Sequence, residues 1–248
     1  MFFMKEAIQY SPEWFKKQKI GAGKSAEALL PIVIDLVSPR SVVDVGCGVG
    51  MWLSTFKELG VKDILGIDGE WVRQDELHIP KEFFMPIDIS KPFEITKKAD
   101  LVISLEVGEH LAPESAKGFV KSLAKIAPVM LFSAAIPKQG GTMHLNEQWP
   151  EYWADLFKSE GYVAIDCIRR RVWTNPNVEY WYAQNTILYV KESEIGNYPK
   201  LQKEIEHEHG GALPLVHPRK YFYALMPPPS LIFRIKRKIR LLARSLVS

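Results

Sequence analysis

The chain has 248 residues, 47% hydrophobic and 25% charged, ordinary globular proportions that exclude a disordered, collagen-like or membrane-spanning chain. Two cysteines, Cys47 and Cys167, cannot build a disulfide scaffold, and no zinc-type Cys/His spacing occurs; with no signal-peptide pattern at the N-terminus, the expected compartment is the cytoplasm. The net charge of +3 is uneven: residues 230–248 carry six Arg or Lys and no acid, which leaves residues 1–229 at −3, a body too acidic for a general nucleic-acid binder.

In chain order, residues 1–39 read as an N-terminal helical cap. Apolar spacing through Ala28, Leu29, Ile32, Val33 and Leu36 predicts a helix over 12–37, ended by Pro39. The GAGKS stretch at 21–25 is not a phosphate loop: position 18, where such a loop needs glycine, is Gln18, and no strand precedes it. Seven apolar runs then read as strands: 41–45, 63–67, 82–87, 100–105, 129–135, 162–168 and 185–190. Helices are expected at 50–59, 113–126 and 150–159. This alternation predicts an α/β domain over 40–192, a parallel sheet with helices on both faces. No helix is expected between the last two runs, which predicts an antiparallel hairpin at one edge. Residues 193–229, rich in proline and glycine, read as an irregular arm or lid.

The first strand leads into VVDVGCGVG. Asp44 precedes Gly46, Cys47, Gly48 and Gly50, and a helix follows. Glycine lets the backbone turn sharply and approach a ligand closely. The second strand ends at Asp68 in GIDGE, followed by Gly69; an acid there can hold two ribose hydroxyls. Asp88 in MPIDIS, another acidic strand end, suits an adenine amino group.

In these segments and in LVISLEVGEHL, the sequence resembles the class I S-adenosylmethionine-dependent methyltransferases over residues 40–190. The resemblance implies a Rossmann-like seven-stranded mixed sheet of order 3-2-1-4-5-7-6 with the last strand antiparallel. It assigns the methionine part of the cofactor to the Gly46–Gly50 loop, ribose to Asp68 and adenine to Asp88 and Ile89. Leu105 and Glu106, with Ser104, occupy the fourth strand's end, where the family often has asparagine or aspartate.

Just past that strand, Glu106, Glu109 and His110 share one face if the segment turns helically. Gly140-Gly141 then presents His144, Asn146 and Glu147 near the same strand ends. Two carboxylates and an imidazole suit a hard divalent ion, magnesium or manganese. The E-x-x-E-H pattern resembles that of metal-dependent small-RNA 2′-O-methyltransferases and some ubiquinone-pathway O-methyltransferases. The implied metal ligands are Glu106, Glu109, His110 and His144. An alcohol needs a base or a metal to become a nucleophile at neutral pH. His144 can be that base, or Glu147 or His110 can assist a metal-held hydroxyl; the sequence leaves both open.

Trp149, Tyr152, Trp153 and, later, Trp173, Tyr180, Trp181 and Tyr182 read as part core and part aromatic wall. The segments GGTMHLNEQWPEYW and YWYAQN resemble methyltransferases of bacterial surface-glycan biosynthesis. The resulting expectation is O-methylation of a sugar hydroxyl on a glycan acceptor, with a lipid-linked glycan as one form of it. Alternatives are a natural-product or quinone O-methyltransferase, an RNA 2′-O-methyltransferase and a non-catalytic cofactor-fold subunit. In the tail, 230–248, an apolar stripe through Leu231, Ile235, Ile239, Leu242 and Leu246 is surrounded by basic residues. This reads as an interfacial amphipathic helix for the inner membrane face, or as a terminal helix packed on the domain or on a partner subunit.

Overall fold

A computed structural model describes residues 12–207 and 213–225. It divides into one unit through His217 and a second from Pro218. The basic tail, 230–248, lies outside the described residues, as do the first eleven positions of the N-terminal cap.

The first helix, α1 (Pro12–Val37), ends where Ser38 turns to a φ of +51° ahead of Pro39. Strand β1 (Ser41–Val45) and helix α2 (Met51–Glu58) flank the glycine loop. Next come β2 (Asp63–Asp68), β3 (Phe84–Pro86), β4 (Leu101–Leu105), α3 (Ala116–Ala124), β5 (Val129–Ser133), α4 (Pro150–Ser159) and β6 (Tyr162–Ile165). Helices α5 (Arg169–Val172) and α6 (Tyr180–Asn185) precede β7 (Ile187–Lys191), and α7 (Pro199–His207) follows it. In the second unit the described element is α8 (Pro218–Leu225).

The seven strands order as β3-β2-β1-β4-β5-β7-β6. All described pairs are parallel except those of β7, which runs antiparallel to both β5 and β6. This is the expected sheet, and residue alternation shows why it forms. Val42, Leu101, Ile103, Leu131, Leu188 and Val190 enter one apolar layer, beneath α1, α2, α6 and α7. Their neighbours Val43, Val102, Met130, Phe132 and Tyr189 enter the other, with Phe119 of α3 and Trp153 and Phe157 of α4. Successive side chains point to opposite faces, so continuous apolar strands need cover on both sides. Phe132 anchors the second layer, its ring 5.0 Å from Trp153 and 5.1 Å from Phe157. Truncating such a side chain to alanine costs about 3–5 kcal/mol.

Three expectations are corrected. The run 185–190 begins inside α6, and both α5 and α6 stand between β6 and β7, so these strands pair without a tight hairpin. The run 82–87 contributes only Phe84–Pro86 to the sheet. The arm at 193–229 contains α7, whose Leu201 is fully buried against the first layer with Tyr198 and Ile205 beside it. Glu204 pins this helix to α5 by accepting from Arg170 and, at 2.8 Å, from Arg171.

Candidate active site

The carboxyl ends of β1, β2, β4 and β5 share one rim, because these strands are parallel. The antiparallel β7 brings its beginning to that rim, so Asn185 and Thr186 arrive beside Ser133. The candidate site residues from 44 to 110 lie at or just past the ends of β1, β2, β3 and β4, and His144 and Glu147 stand in the loop after β5.

The glycine loop is shaped by backbone demands. Gly46, Gly48 and Gly50 have φ of +84°, +53° and +79°, a region that L side chains rarely adopt. The Gly46 and Cys47 amides donate to the Ile67 carbonyl at 2.7 and 3.1 Å, stapling the loop to the end of β2. A Cβ on Gly46 would come within 2.4 Å of Val107, so the segment after β4 rests directly on this loop. A Cβ on Gly48 would meet nothing within 4 Å, so the loop is open to a ligand there. Cys47, by contrast, points its buried thiol into the core, where burial pushes its pKa far up.

Asp68 accepts from the Gly48 amide with Oδ2 and from the Gly69 amide with Oδ1, both at 2.7 Å. Burial still raises its pKa against those bonds. Asp44 is buried, and its Oδ2 has no hydrogen-bond partner among the described residues. Burial, then the neighbouring Asp68 charge, raises the Asp44 pKa well above the carboxylate range. An unsatisfied buried acceptor is costly, and this one fits an ammonium group or a water bridging to it. Asp88 lies just past β3. It is exposed, and its carboxylate is taken up by Ser90 and, at 3.1 Å, by Lys91, while Ile89 beside it is buried.

The strand-end acids separate into two roles. Glu106, at a φ of +56°, is held by a buried amide network. Gln139 donates to one carboxylate oxygen at 2.9 Å and Asn185 to the other at 3.0 Å. Gln184 joins through Gln139 and Asn185, and accepts from the His217 amide at 2.9 Å. Burial raises the Glu106 pKa despite these donors. Glu109 is 1% exposed, and neither of its oxygens makes a well-formed hydrogen bond among the described residues. Burial and then the Glu106 charge raise its pKa well above the usual range.

Glu109, His110 and His144 come together, each with one ligand atom within 4.8 Å of the others. Ligands on one ion at ~2.1 Å stand at most ~4.2 Å apart, so holding an ion takes only a small closure. Glu106, the fourth residue of the expected set, is not in this group among the described residues; its oxygens accept from Gln139 and Asn185. Burial and the adjacent His144 lower the His110 pKa, which keeps its imidazole neutral and able to ligate. Glu147 organises the loop that carries His144. Its carboxylate accepts from the Lys138 amide at 2.7 Å and the Gly140 amide at 2.8 Å, and pairs with His144 Nδ1 at 2.9 Å. Burial alone would raise the Glu147 pKa, but these donors outweigh it and hold it below its ordinary value. With Nδ1–H on Glu147, His144 Nε2 is left as an acceptor. Trp153 is core, as expected, while Trp149 is exposed.

Gln139, Gln184 and Asn185 were not anticipated. Their signal was three amide side chains near strand ends, but nothing in their spacing shows that they converge on Glu106.

A methyltransferase-domain family profile matches residues 18–164. Solved structures share the fold. The human N-acetylserotonin methyltransferase, solved in complex with SAM, aligns with a TM-score of 0.50 and 16% identity over 72% of this chain and 54% of that one. This chain therefore spans just over half of that relative. The Streptomyces venezuelae protein DesVI aligns at 0.53 and 13% identity, covering 76% of this chain and 99% of that one. A sugar N-methyltransferase from Streptoalloteichus aligns at 0.58 and 12%, covering 77% and 96%. No curated protein matches the sequence.

Proposed function

This chain belongs to the methyltransferase-domain family, and from that premise we propose that it methylates a sugar hydroxyl with S-adenosylmethionine, assisted by a divalent ion on Glu109, His110 and His144. One observation carries the reading. A fully buried carboxylate without a well-formed partner stands with two imidazoles at the end of β4, on the segment that packs against the glycine loop. A buried carboxylate of this kind calls for a proton or a cation.

Asp68 offers its carboxylate to the ribose diol, the open face of Gly48 receives the methionine chain, and Asp44 Oδ2 suits its ammonium group. The cofactor supplies a methyl group made electrophilic by its sulfonium. Glu109, His110 and His144 would hold magnesium or manganese, which lowers the pKa of a hydroxyl beside it. The Glu106 network keeps the adjoining turn fixed, so that the acceptor oxygen is aligned with the methyl group; such alignment supplies much of the rate.

A second reading rests on the pairing of His144 with Glu147. There His144 Nε2 takes the hydroxyl proton as the methyl group transfers, and Glu147 stabilises the imidazolium. The sugar acceptor, and a surface glycan as its setting, rest on the segments GGTMHLNEQWPEYW and YWYAQN. A quinone or natural-product hydroxyl is the competing acceptor. Among the described residues no helix is long and apolar enough to cross a membrane, and we place peripheral contact with an inner membrane face on the basic tail.

The test is methyl transfer from labelled S-adenosylmethionine to a panel of nucleotide-linked and lipid-linked sugars, quinols and RNA. It is run before and after exhaustive chelation. Turnover on a sugar, lost on chelation and restored by manganese, supports the metal-assisted reading. Turnover that survives chelation makes His144 the base. Transfer only to RNA or quinols overturns the sugar assignment.

A further inference from the structure

Two adjacent glycines open the loop that carries His144, and they answer different needs. Gly140 turns at a φ of +73°, and a Cβ there would meet nothing within 4 Å, so the backbone alone calls for glycine. Gly141 lies outside the left-handed region, so its backbone makes no such demand. What a side chain would meet there is the His144 ring. A Cβ on Gly141 would stand 2.0 Å from Nε2, 2.3 Å from Cε1 and 2.8 Å from Cδ2, and its three nearest atoms all belong to this imidazole.

The ring is thus held on three sides. Glu147 Oε1 pairs with Nδ1 at 2.9 Å. The His110 ring stands edge-on, 4.9 Å away between centroids and at 89° between planes. The Cε1–Nε2–Cδ2 edge lies across Gly141. Non-bonded atoms rest about 3.5 Å apart, so a methyl group at position 141 would drive Nε2 back by about 1.5 Å. Retreat of that size opens the Glu147 bond or presses the ring onto His110. Glu147 cannot follow, because the Lys138 and Gly140 amides fix its carboxylate.

We propose that Gly141 is a positioning residue for His144: its bare Cα is a seat that, together with Glu147, fixes the imidazole beside Glu109 and His110. This rests on the reading of His144 as a metal ligand or base, and adds what sets its orientation. A ring held by one hydrogen bond can still swing about it, and the seat removes that swing. Ligand and base geometry must hold to about 0.5 Å, less than the displacement that a side chain at position 141 would force.

Manganese alone is the probe, followed by calorimetry on the full chain for wild type and Gly141→Ala. Long-range proton–nitrogen NMR of the neutral histidine rings supplies a readout that needs no metal. Gly141→Ala should bind manganese about 10–100-fold more weakly, as losses of ligand-orienting contacts do, and its His144 should lose the fixed Nδ1–H tautomer that pairing with Glu147 imposes. The variant should also melt lower than wild type. In a His144→Ala background the same glycine change should no longer lower the melting temperature, because the ring it strikes is gone. An equal fall in both backgrounds would make Gly141 a structural glycine and refute the seat. If wild type binds manganese and Gly141→Ala binds it equally well, the seat is refuted and the metal site stands. If wild type binds no manganese, the metal reading fails and the tautomer decides the seat: a changed tautomer in Gly141→Ala supports it, and an unchanged one refutes it.

Discussion

Replacing Glu109 by glutamine should make the protein more stable and useless. The side chain is 1% exposed and has no well-formed hydrogen-bond partner, and burial followed by repulsion from Glu106 raises its pKa well above the ordinary value of ~4.3. The folded state therefore binds this proton more tightly than the unfolded chain does. Stability tied to it is fully present below the unfolded pKa and is lost as pH rises toward the folded one. In that window the difference approaches one proton, a slope of about −1.4 kcal/mol per pH unit. Glutamine keeps the shape and has no proton to lose. Urea unfolding of both proteins across a pH series should give curves that meet near pH ~4 and separate above it. At neutral pH the gap is that slope taken over the pH units between the unfolded pKa and the folded one, up to about 3–4 kcal/mol at pH ~7. Manganese should raise the melting temperature of wild type, since ligand binding to the folded state stabilises it, and leave Glu109→Gln unmoved. Parallel stability curves would refute the reasoning, because they would mean that Glu109 is as well solvated folded as unfolded.

The two loop glycines should respond in opposite ways. Gly46→Ala drives a Cβ to 2.4 Å from Val107, and overpacking of this kind costs ~1–3 kcal/mol, visible as a lowered melting temperature. Gly48→Ala adds its methyl to open space, so calorimetry should show weakened cofactor binding in a protein whose melting temperature falls far less. Glu147→Gln removes the charge that faces His144 and keeps one acceptor oxygen, turning an N–H donor against either the Lys138 amide or the Gly140 and His144 donors. If His144 is the base, turnover should fall by ~10²-fold or more. The depressed Glu147 pKa means that wild type's stability advantage exists above the ordinary value of ~4.3 and fades as pH falls through the folded one. Truncation after residue 229 should abolish sedimentation with anionic vesicles at low salt, each tail Lys or Arg near the surface contributing ~1 kcal/mol; equal sedimentation of both chains removes the membrane role.

How much could be read in advance followed the range of the interactions. The placement of Asp44, the three glycines and Asp68 at the ends of β1 and β2 was legible because strand, turn and helix are neighbours in sequence and the turn has a backbone requirement that few residues meet. The division of labour between Glu106 and Glu109 was not. Spacing places both on one face, but only the arrival of Gln139 and Asn185 from distant segments engages one carboxylate and leaves the other bare. Helix α7 was missed for a related reason. Its apolar positions Leu201 and Ile205, with Tyr198 just before it, have helical spacing, but prolines and glycines crowd its borders and masked it.

The placement of β7 between β5 and β6 has a consequence for the ribosome. Glu106 leaves the exit tunnel early, but its Asn185 partner is made 79 positions later, and Gln184, which joins them, bonds to a backbone amide at residue 217. A nascent chain that has reached residue 164, where the family match ends, has its glycine loop and Asp68 but no second amide for Glu106. Until the last strand threads into the sheet's interior, an acid meant to be buried stays in water. Cofactor recognition can thus mature before the acceptor side exists. Release-blocked chains of increasing length should acquire S-adenosylhomocysteine binding before they acquire methyl transfer.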